Sequence, residues 1–370
     1  MKIFIAGDYC PRGRVSDAFS QGNFSSVLEE VRSLTSQVEY SVINFECPVV
    51  KGQAKPIKKS GPNLSCPEYG VEALRYAGFK CVTLANNHFR DYGNEGVSDT
   101  LAALADYGID RVGGGININE AAKILYTEAN GERLAIVNCC EHEFSIANAD
   151  NAGSNPLCPI NQYYAILEAR RNADYVLVIV HGGHEHLQYP SFRMVETYRF
   201  FIDSGADAVV NHHQHCFSGY ETYHDKPIFY GLGNFCFDNV QQRTGKWCEG
   251  YAITIEFSEN SPTFAIHPYT QCTDDIAVRF LPDNAFDEKI HEINDAISHP
   301  GKLERVIGVY YKKCSGSASW LFEPIRLGIY YKLRYNGWLP SFISGKRKLD
   351  VANQILCESY LDRIKWWLEN

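Results

Sequence analysis

The sequence has no uninterrupted apolar run of the roughly 18 residues that a membrane-spanning helix requires. Its first residues contain only five apolar side chains before Gly7 and Asp8, which is too short for the core of a secretory signal peptide. The 13 cysteines include no Cys-x-x-Cys pair, and we expect reduced, buried thiols that act as small apolar side chains. These absences predict a protein that stays in the cytoplasm.

Several motifs of known chemistry are also missing. The sequence contains no Gly-x-Ser-x-Gly elbow and no Walker A loop, and the run Gly113–Gly115 lacks the spacing of a dinucleotide fingerprint. The net charge of −9 argues against a general nucleic-acid binder. The chain has 370 residues, which is long enough for two to three domains or for one large α/β domain with an attachment. Since 45% of the residues are hydrophobic, it is not expected to be disordered.

Short β-rich runs alternate with helical patterns over the first 270 residues, which predicts an α/β fold. The predicted strands are Lys2–Ala6, Tyr40–Asn44, Lys80–Ala85, Arg133–Asn138, Tyr175–Val180, Ala208–Val210, Pro227–Gly231 and Tyr251–Phe257. The predicted helices are Phe24–Gln37, Pro67–Ala77, Gly93–Tyr107, Ile160–Ala173 and Ser191–Ser204. Several strands are continuous apolar runs, which is typical of strands that are covered on both faces. Beyond about residue 273 the alternation ends, so we predict a domain over 1–272 and a helical extension over 273–370.

The extension differs from the rest of the chain in charge. Residues 310–348 contain 8 Lys and Arg against one acidic residue, Glu323, and aromatic side chains are interspersed among them. A basic amphipathic segment with Trp and Tyr can lie on an anionic membrane surface. The same aromatic side chains could instead pack the extension onto the first domain. The sequence therefore leaves two alternatives open, one of them a peripheral contact with the inner face of the membrane.

Polar clusters follow five of the predicted strands. They are Gly7-Asp-Tyr-Cys10, Asn44-Phe-Glu46, Asn86-Asn-His88 with Asp91, His181-Gly-Gly-His-Glu-His186 and Asn211-His-His-Gln-His215. Ligands of α/β sheets bind beyond the carboxyl ends of the strands, so these clusters are expected to meet. Carboxylate, amide and imidazole groups are ligands of Zn, Mn and Fe in hydrolytic centres, and one or two such ions can activate water and polarise a phosphoryl or carbonyl group. The clusters predict a divalent-metal site.

The motifs resemble those of the CapA family of capsule and poly-γ-glutamate synthesis proteins, in the calcineurin-like metallophosphatase superfamily. The matching segments are Ile5-Ala-Gly-Asp-Tyr-Cys-Pro-Arg12, Asn44-Phe-Glu-Cys-Pro48, Leu84-Ala-Asn-Asn-His-Phe-Arg-Asp-Tyr-Gly93, His181-Gly-Gly-His-Glu185, Gly205-Ala-Asp-Ala-Val-Val-Asn-His-His-Gln-His215 and Lys226-Pro-Ile-Phe-Tyr-Gly-Leu-Gly-Asn-Phe-Cys-Phe-Asp238. The resemblance covers about residues 1–270. It implies a four-layer αββα sandwich, with two β-sheets between helices, around a metal centre that holds one or two divalent ions.

The resemblance also implies roles for individual residues. The candidate metal ligands are Asp8, Cys10, Glu46, Asn87, His181, His213 and His215. His88 resembles the histidine that donates a proton to the leaving group, and Asp91 could orient it. The superfamily's opening Asp-x-His reads Asp8-Tyr9-Cys10 here, so Cys10 is either a replacement ligand or a packing residue. Because the last motif is one residue longer than usual, His212 could replace His213.

Charged and polar residues near these motifs could recognise a polyanion or a sugar. They are Arg12, Lys58, Lys59, Glu185, Tyr189, His212 and Glu221. Two functions then remain open. The first is a metal-dependent hydrolase or transferase in capsule, exopolysaccharide or poly-γ-glutamate synthesis, acting on a phosphoester, amide or glycan-linked bond of an anionic polymer. The second is a non-catalytic accessory protein that binds the polymer or a membrane synthase complex.

Overall fold

In the computed structural model, which describes residues 1–259, 261–322, 333, 338 and 345–369, the first strand, β1 (Lys2–Tyr9), lies inside an eight-stranded sheet. From one edge, the sheet consists of β16 (Arg279–Phe280), β15 (Thr263–Thr270), β14 (Glu249–Glu256), β1, β2 (Tyr40–Phe45), β3 (Cys81–Thr83) and β4 (Asp110–Val112). A short strand, β13 (Asn234–Cys236), pairs with the end of β1. Strands β1 to β4 run parallel, and β14 pairs antiparallel with β1.

The second sheet has six strands. In spatial order they are β11 (Tyr220–Tyr223), β12 (Lys226–Phe229), β10 (Ala208–His212), β9 (Tyr175–His181), β7 (Glu132–Cys140) and β6 (Leu125–Ala129). Its four inner strands are parallel, and both edge strands pair antiparallel with their neighbours. The strands β5 (Gly114–Gly115) and β8 (Gly153–Ser154) form a separate two-stranded pair.

The helices connect these strands and follow them. They are α1 (Arg14–Ser20), α2 (Ser25–Thr35), α3 (Tyr69–Tyr76), α4 (Gly93–Asp106), α5 (Ile118–Ala121), α6 (Pro159–Asn172), α7 (Phe192–Asp203), α8 (Asp287–Ser298), α9 (Pro300–Phe322), α10 (Gly345–Leu356) and α11 (Glu358–Glu369), with a 3-10 helix at Gly245–Trp247. None of the helices in the described part of the chain is both long and apolar enough to cross a bilayer.

Alternate side chains of β1 enter two different cores, which shows the layer order. Ile3 and Ile5 pack into the core that contains the strands of the second sheet. Phe4 and Ala6 point to the opposite face and pack with side chains of α1 to α4. Helices α6 and α7 cover the far face of the second sheet, where Ile166 and Met194 are buried. The predicted α/β sandwich of two sheets between helices is therefore confirmed.

The chain continues into the same core beyond residue 272. Strand β16 extends the first sheet, and Ile290 and Ile293 of α8 are buried in the core of the second. Leu303 and Ile307 of α9 join the same cluster. The division into 1–272 and 273–370 stays a prediction. Within the basic segment 310–348, residues 323–332, 334–337 and 339–344 lie outside the described residues, so its proposed membrane contact also stays a prediction.

Candidate metal centre

The carboxyl ends of the parallel strands carry the predicted polar residues to one place. Asp8 lies near the end of β1, Glu46 follows β2 directly, and His181 is the last residue of β9. The loop after β10 brings in His213 and His215, whose φ angles of 97° and 55° are in the left-handed region. Non-glycine residues adopt such angles at a cost, and they persist where the surroundings hold them, often at functional sites.

Glu46 occupies the middle of this cluster. Its side chain is fully buried, and neither carboxylate oxygen has a hydrogen-bond partner among the described residues. Oε1 lies 3.6 Å from Nε2 of His215 and 3.8 Å from Nε2 of His181. Burial, followed by the negative charge of Asp8, raises the pKa of Glu46 well above its usual range. A buried carboxylate without a partner is costly, and a cation bound by this carboxylate and the imidazoles would offset that cost.

Two groups of potential ligand atoms share Glu46. One consists of Asp8, Glu46 and His215, and the other of Glu46, His181 and His213. In each group the ligand atoms lie within 4.8 Å of one another, and all five residues are buried. The donor set of carboxylates and imidazoles is compatible with a divalent metal, and a shared carboxylate suits two adjacent ions.

Asp8 remains a carboxylate in this environment. Burial alone would raise its pKa, but the nearby His212 and His215 and the amide of Asn44 outweigh burial and hold the pKa below its ordinary value. Asn44 Nδ2 donates to Asp8 Oδ1 at 2.7 Å, and the backbone N–H of His213 donates to Oδ2 at 3.2 Å. The result is a negatively charged group of fixed orientation.

His181 is kept neutral, as a metal ligand must be. Burial and the neighbouring histidines, His213 first, lower its pKa well below the usual value. Its Nε2 lies 3.1 Å from Oδ1 of Asn87 and 3.0 Å from Nδ1 of His213. The predicted ligands Asn87, His181 and His213 are thus in direct contact. His212 lies apart from them, with Nδ1 3.5 Å from Oδ1 of Asp8.

Cys10 is buried but does not belong to either group of ligand atoms described above. Its thiol lies instead beside Cys47, whose pKa is raised by burial and by hydrogen bonds with Cys10 and Cys66. Whether Cys10 serves as a ligand stays a prediction.

His88 lies beside the candidate ligands and forms part of a buried triad with Asp91 and Lys59. Its Nδ1 is 2.7 Å from Oδ2 of Asp91 and 3.0 Å from Nζ of Lys59, which is itself ion-paired with Asp91. Burial lowers the pKa of His88 to about 4, and the nearby Lys59 ammonium adds to this effect. The hydrogen bond with Asp91 opposes the shift but does not cancel it. Asp91 also accepts from the backbone N–H of Leu64 at 2.6 Å, which holds the loop containing Lys59 over His88.

The other predicted substrate residues lie in different surroundings. Arg12 and Lys58 are exposed, and Glu185 is exposed next to the cluster of histidines. Tyr189 donates to Oε1 of Glu292 at 2.9 Å. Glu221 accepts from Arg199, with Oε2 2.6 Å from Nη2. The side chains of Tyr189 and Glu221 are therefore engaged with protein partners rather than directed at the metal centre.

Several residues around the centre were not predicted as site residues. Oδ1 of Asn234 lies 2.9 Å from Nδ1 of His215 and orients that ring, as the second layer of metal sites often does. A cavity of about 200 Å³ adjoins His213. Its lining combines the loop after β9 with the C-terminal helices: Gly183, His184, Glu185, His186, His213, Tyr310, Cys357, Tyr360 and Arg363. No motif marks the C-terminal residues, because their approach to the centre depends only on how the extension folds back.

The fold and the cluster together define an α/β sandwich with a buried site compatible with a divalent metal at the carboxyl ends of its strands. The model of the family described as bacterial capsule synthesis protein PGA_cap matches residues 2–239. The chain belongs to this family, and the family relationship predicted from the motifs is confirmed.

Individual relatives agree with this assignment. The chain is 34% identical over 252 residues to the capsule biosynthesis protein CapA of Bacillus anthracis, covering 66% of this chain and 61% of the relative. It is 32% identical over 243 residues to the PGA biosynthesis protein CapA of Bacillus subtilis (strain 168), covering 65% and 64%. The matched region thus spans less than two thirds of either relative. The crystal structure of a novel phosphatase from Mycoplasma pneumoniae is similar to 73% of this chain and covers 93% of its own chain, with a TM-score of 0.45 and 15% identity.

Proposed function

We propose that the chain is a metal-dependent hydrolase or transferase of capsule or poly-γ-glutamate synthesis, acting on a phosphoester, amide or glycan-linked bond of an anionic polymer. The observation that supports this most directly is the Glu46 carboxylate, which is buried without a hydrogen-bond partner among the described residues and is shared by two sets of potential ligands. An accessory protein without a metal would gain nothing from that arrangement.

The residues divide the work according to their contacts. Asp8, Glu46, His181, His213 and His215 would hold one or two ions of Mn, Zn or Fe, with Asn87 beside them. A bound divalent ion supplies Lewis acidity toward a phosphoryl or carbonyl oxygen and lowers the pKa of water. His88 would move a proton to the leaving group, and Asp91 and Lys59 would position its ring. The negative charge of a bound substrate would favour protonation of His88, which is neutral without it.

The site of action is also part of the proposal. A cytoplasmic location, with a peripheral contact at the inner face of the membrane through residues 310–348, would bring the acidic body close to a substrate made at that surface.

Metal binding is the first test. The purified protein, stripped with chelator, should bind Mn²⁺ or Zn²⁺ in calorimetry and in elemental analysis. Glu46→Gln should weaken that binding by more than the 10–100-fold that is typical of losing a supporting residue outside the first layer. Glu128→Gln is the matched control, since Glu128 is exposed on β6 and should leave the affinity unchanged.

Turnover is the second test. The metal-loaded protein should hydrolyse at least one member of a panel of phosphomonoester, phosphodiester and γ-glutamyl substrates, and Glu46→Gln should abolish that activity. A wild-type protein that binds no divalent ion would contradict the proposal and favour the accessory role. Metal binding without turnover on any of these substrates would restrict the ion to a structural function.

A further inference from the structure

The cavity beside the centre has a wall that lies outside the family-matched region. On one side it is lined by His213 and the segment Gly183–His186, and on the other by Tyr310 and by residues of α11. The family model ends at residue 239, so the second wall is contributed by the extension. A cavity of about 200 Å³ is large enough for a small functional group of a substrate.

Arg363 is the cation of that second wall. Its guanidinium lies over the ring of Tyr360, 4.1 Å from the centroid. Nε and Nη2 are buried, and neither has a hydrogen-bond partner among the residues that the structure describes. A buried guanidinium nitrogen without a partner is costly, and the geometry of the group matches carboxylate and phosphate oxygens.

The nearest acidic side chains of the same helix are already engaged. Asp362 accepts from Nε of Arg193 at 2.9 Å, and Glu358 lies 2.6 Å from Nδ1 of His142. Among the described residues, no carboxylate lies within the 4.0 Å of Arg363 that an ion pair requires. Arg363 therefore has a charge available for a ligand.

Hydrogen bonds fix the position of α11 against the second sheet. Glu141 at the end of the second sheet is buried and accepts from the backbone N–H of Ser359 at 3.1 Å. It also accepts from Nη2 of Arg193 at 2.6 Å, and Arg193 joins Asp362 to the same network. This network holds the helix, and hence Arg363, against the cavity.

We infer that Arg363 binds an anionic oxygen group of the substrate, a carboxylate or a phosphate, next to the bond that reacts at the metal centre. The stacked Tyr360 supports the guanidinium plane, and the exposed Glu185 in the lining accepts from an N–H or O–H near that anionic group. The location of the reacting bond rests on the proposed function, whereas the binding of the anion is measurable without turnover.

The test measures anion binding to the metal-loaded 370-residue chain by calorimetry. One arm uses inorganic phosphate, and the other uses a short γ-linked glutamate oligomer. Arg363→Gln should lower the affinity for whichever ligand the wild type binds by about 10–100-fold, the usual contribution of hydrogen bonds to a charged group. Arg363→Lys keeps the positive charge but loses the planar pair of N–H donors. Its affinity should fall between those of the wild type and Arg363→Gln. Arg305→Gln on α9 is the control. Arg305 is exposed, so this variant should bind the ligand with the affinity of the wild type.

A structural role is separated by thermal unfolding. If Arg363 only stabilised the fold, Arg363→Gln would melt at a lower temperature without ligand. We expect an unchanged or higher melting temperature, because the substitution removes two buried guanidinium nitrogens that have no hydrogen-bond partner among the described residues. Loss in the phosphate arm alone identifies a phosphate subsite, and loss in the oligomer arm alone identifies a carboxylate subsite.

The inference and the proposed function can fail separately. Unchanged affinity of Arg363→Gln for both ligands, or no binding of either ligand to the wild type, overturns the inference even where metal binding and turnover are observed. Loss of anion affinity in Arg363→Gln in a protein that shows no turnover supports the anion site and leaves the proposed reaction without support.

Discussion

When no cation is bound, the buried Glu46 carboxylate lowers the free energy of unfolding of the protein. Its raised pKa means that the folded state disfavours the ionised form, so ionisation destabilises the protein as the pH rises. In the metal-free protein, Glu46→Gln should therefore increase the free energy of unfolding at neutral pH by about 1–3 kcal/mol. With Zn²⁺ or Mn²⁺ the order should reverse, because only the wild type gains the binding energy. Calorimetric melting of the wild type and of Glu46→Gln, once with chelator and once with metal, measures both differences in stability. A metal-free variant that is less stable than the metal-free wild type would contradict the argument.

The proposed function assigns His88 a proton transfer and no bond to the metal. Its ring contacts Asp91 and Lys59, and it belongs to neither group of potential ligand atoms that shares Glu46. His88→Ala should therefore retain the metal and reduce kcat by roughly 10²–10⁴, the range of general acid–base catalysis. Elemental analysis and turnover of the same preparation check this, with the exposed His224→Ala as the control. Loss of metal together with activity would make His88 a ligand.

The site could be predicted where it depends on local sequence, and not where it depends on distant pairing. Asp8 and His181 come at the ends of strands whose apolar runs are continuous, so their meeting point follows from strand geometry. Lys59 was expected to face substrate, but it is buried against Asp91, a contact made by a loop of Gly and Pro that carries no periodic pattern. Arg363 reaches the cavity from a helix more than 100 residues beyond the last motif, and nothing in its neighbourhood marks it.

The same contrast holds for strands and helices. The buried strand predicted at Tyr175–Val180 is observed at Tyr175–His181, since a run covered on both faces has one clear pattern. Strand β15 (Thr263–Thr270) was missed because its side chains are mostly exposed or half-buried and include a proline. Helix α1 was missed because it has only seven residues, too few for a helical period to stand out.

The stability of the contact between α11 and the loop after β7 should depend on pH through His142. A hydrogen bond with Glu358, opposed by burial, raises the pKa of His142 above its ordinary value. A raised pKa in the folded state means that the stabilisation is complete below the unfolded pKa near 6.5 and is lost as the pH rises through the folded value. Because the pair is partly exposed, the effect should stay within about 1 kcal/mol.

Hydrogen exchange of the α11 amides between pH 5.5 and 8.5, corrected for the intrinsic exchange rate, measures this dependence. Protection should decrease toward high pH in the wild type. His142→Gln keeps a hydrogen-bonding side chain without a titrating group, so its protection should not change with pH. An equal slope in both proteins would assign the effect to another group.

Charge is distributed unevenly along the chain, and its basic part is the segment after residue 299. Residues 300–370 contain 12 Lys and Arg against 6 Asp and Glu, although the whole chain has a net charge of −9. Deleting the extension would be a poor test of membrane contact, since Leu303, Ile307 and Tyr311 are buried in the main core. Substitutions on its exposed surface leave that core intact.

Lys346 and Lys348 are exposed at the start of α10 and offer such a test. Each basic residue near an anionic bilayer contributes about 1 kcal/mol, so Lys346→Gln with Lys348→Gln should weaken binding to anionic vesicles by roughly 10–30-fold at low salt. The control is Lys80→Gln with Lys123→Gln, which removes the same charge from exposed positions on the acidic body. Vesicle sedimentation at low and high salt measures both, and high salt should release the wild type because the attraction is screened beyond a Debye length. If the wild type does not sediment with anionic vesicles at low salt, the aromatic residues of the extension serve packing alone.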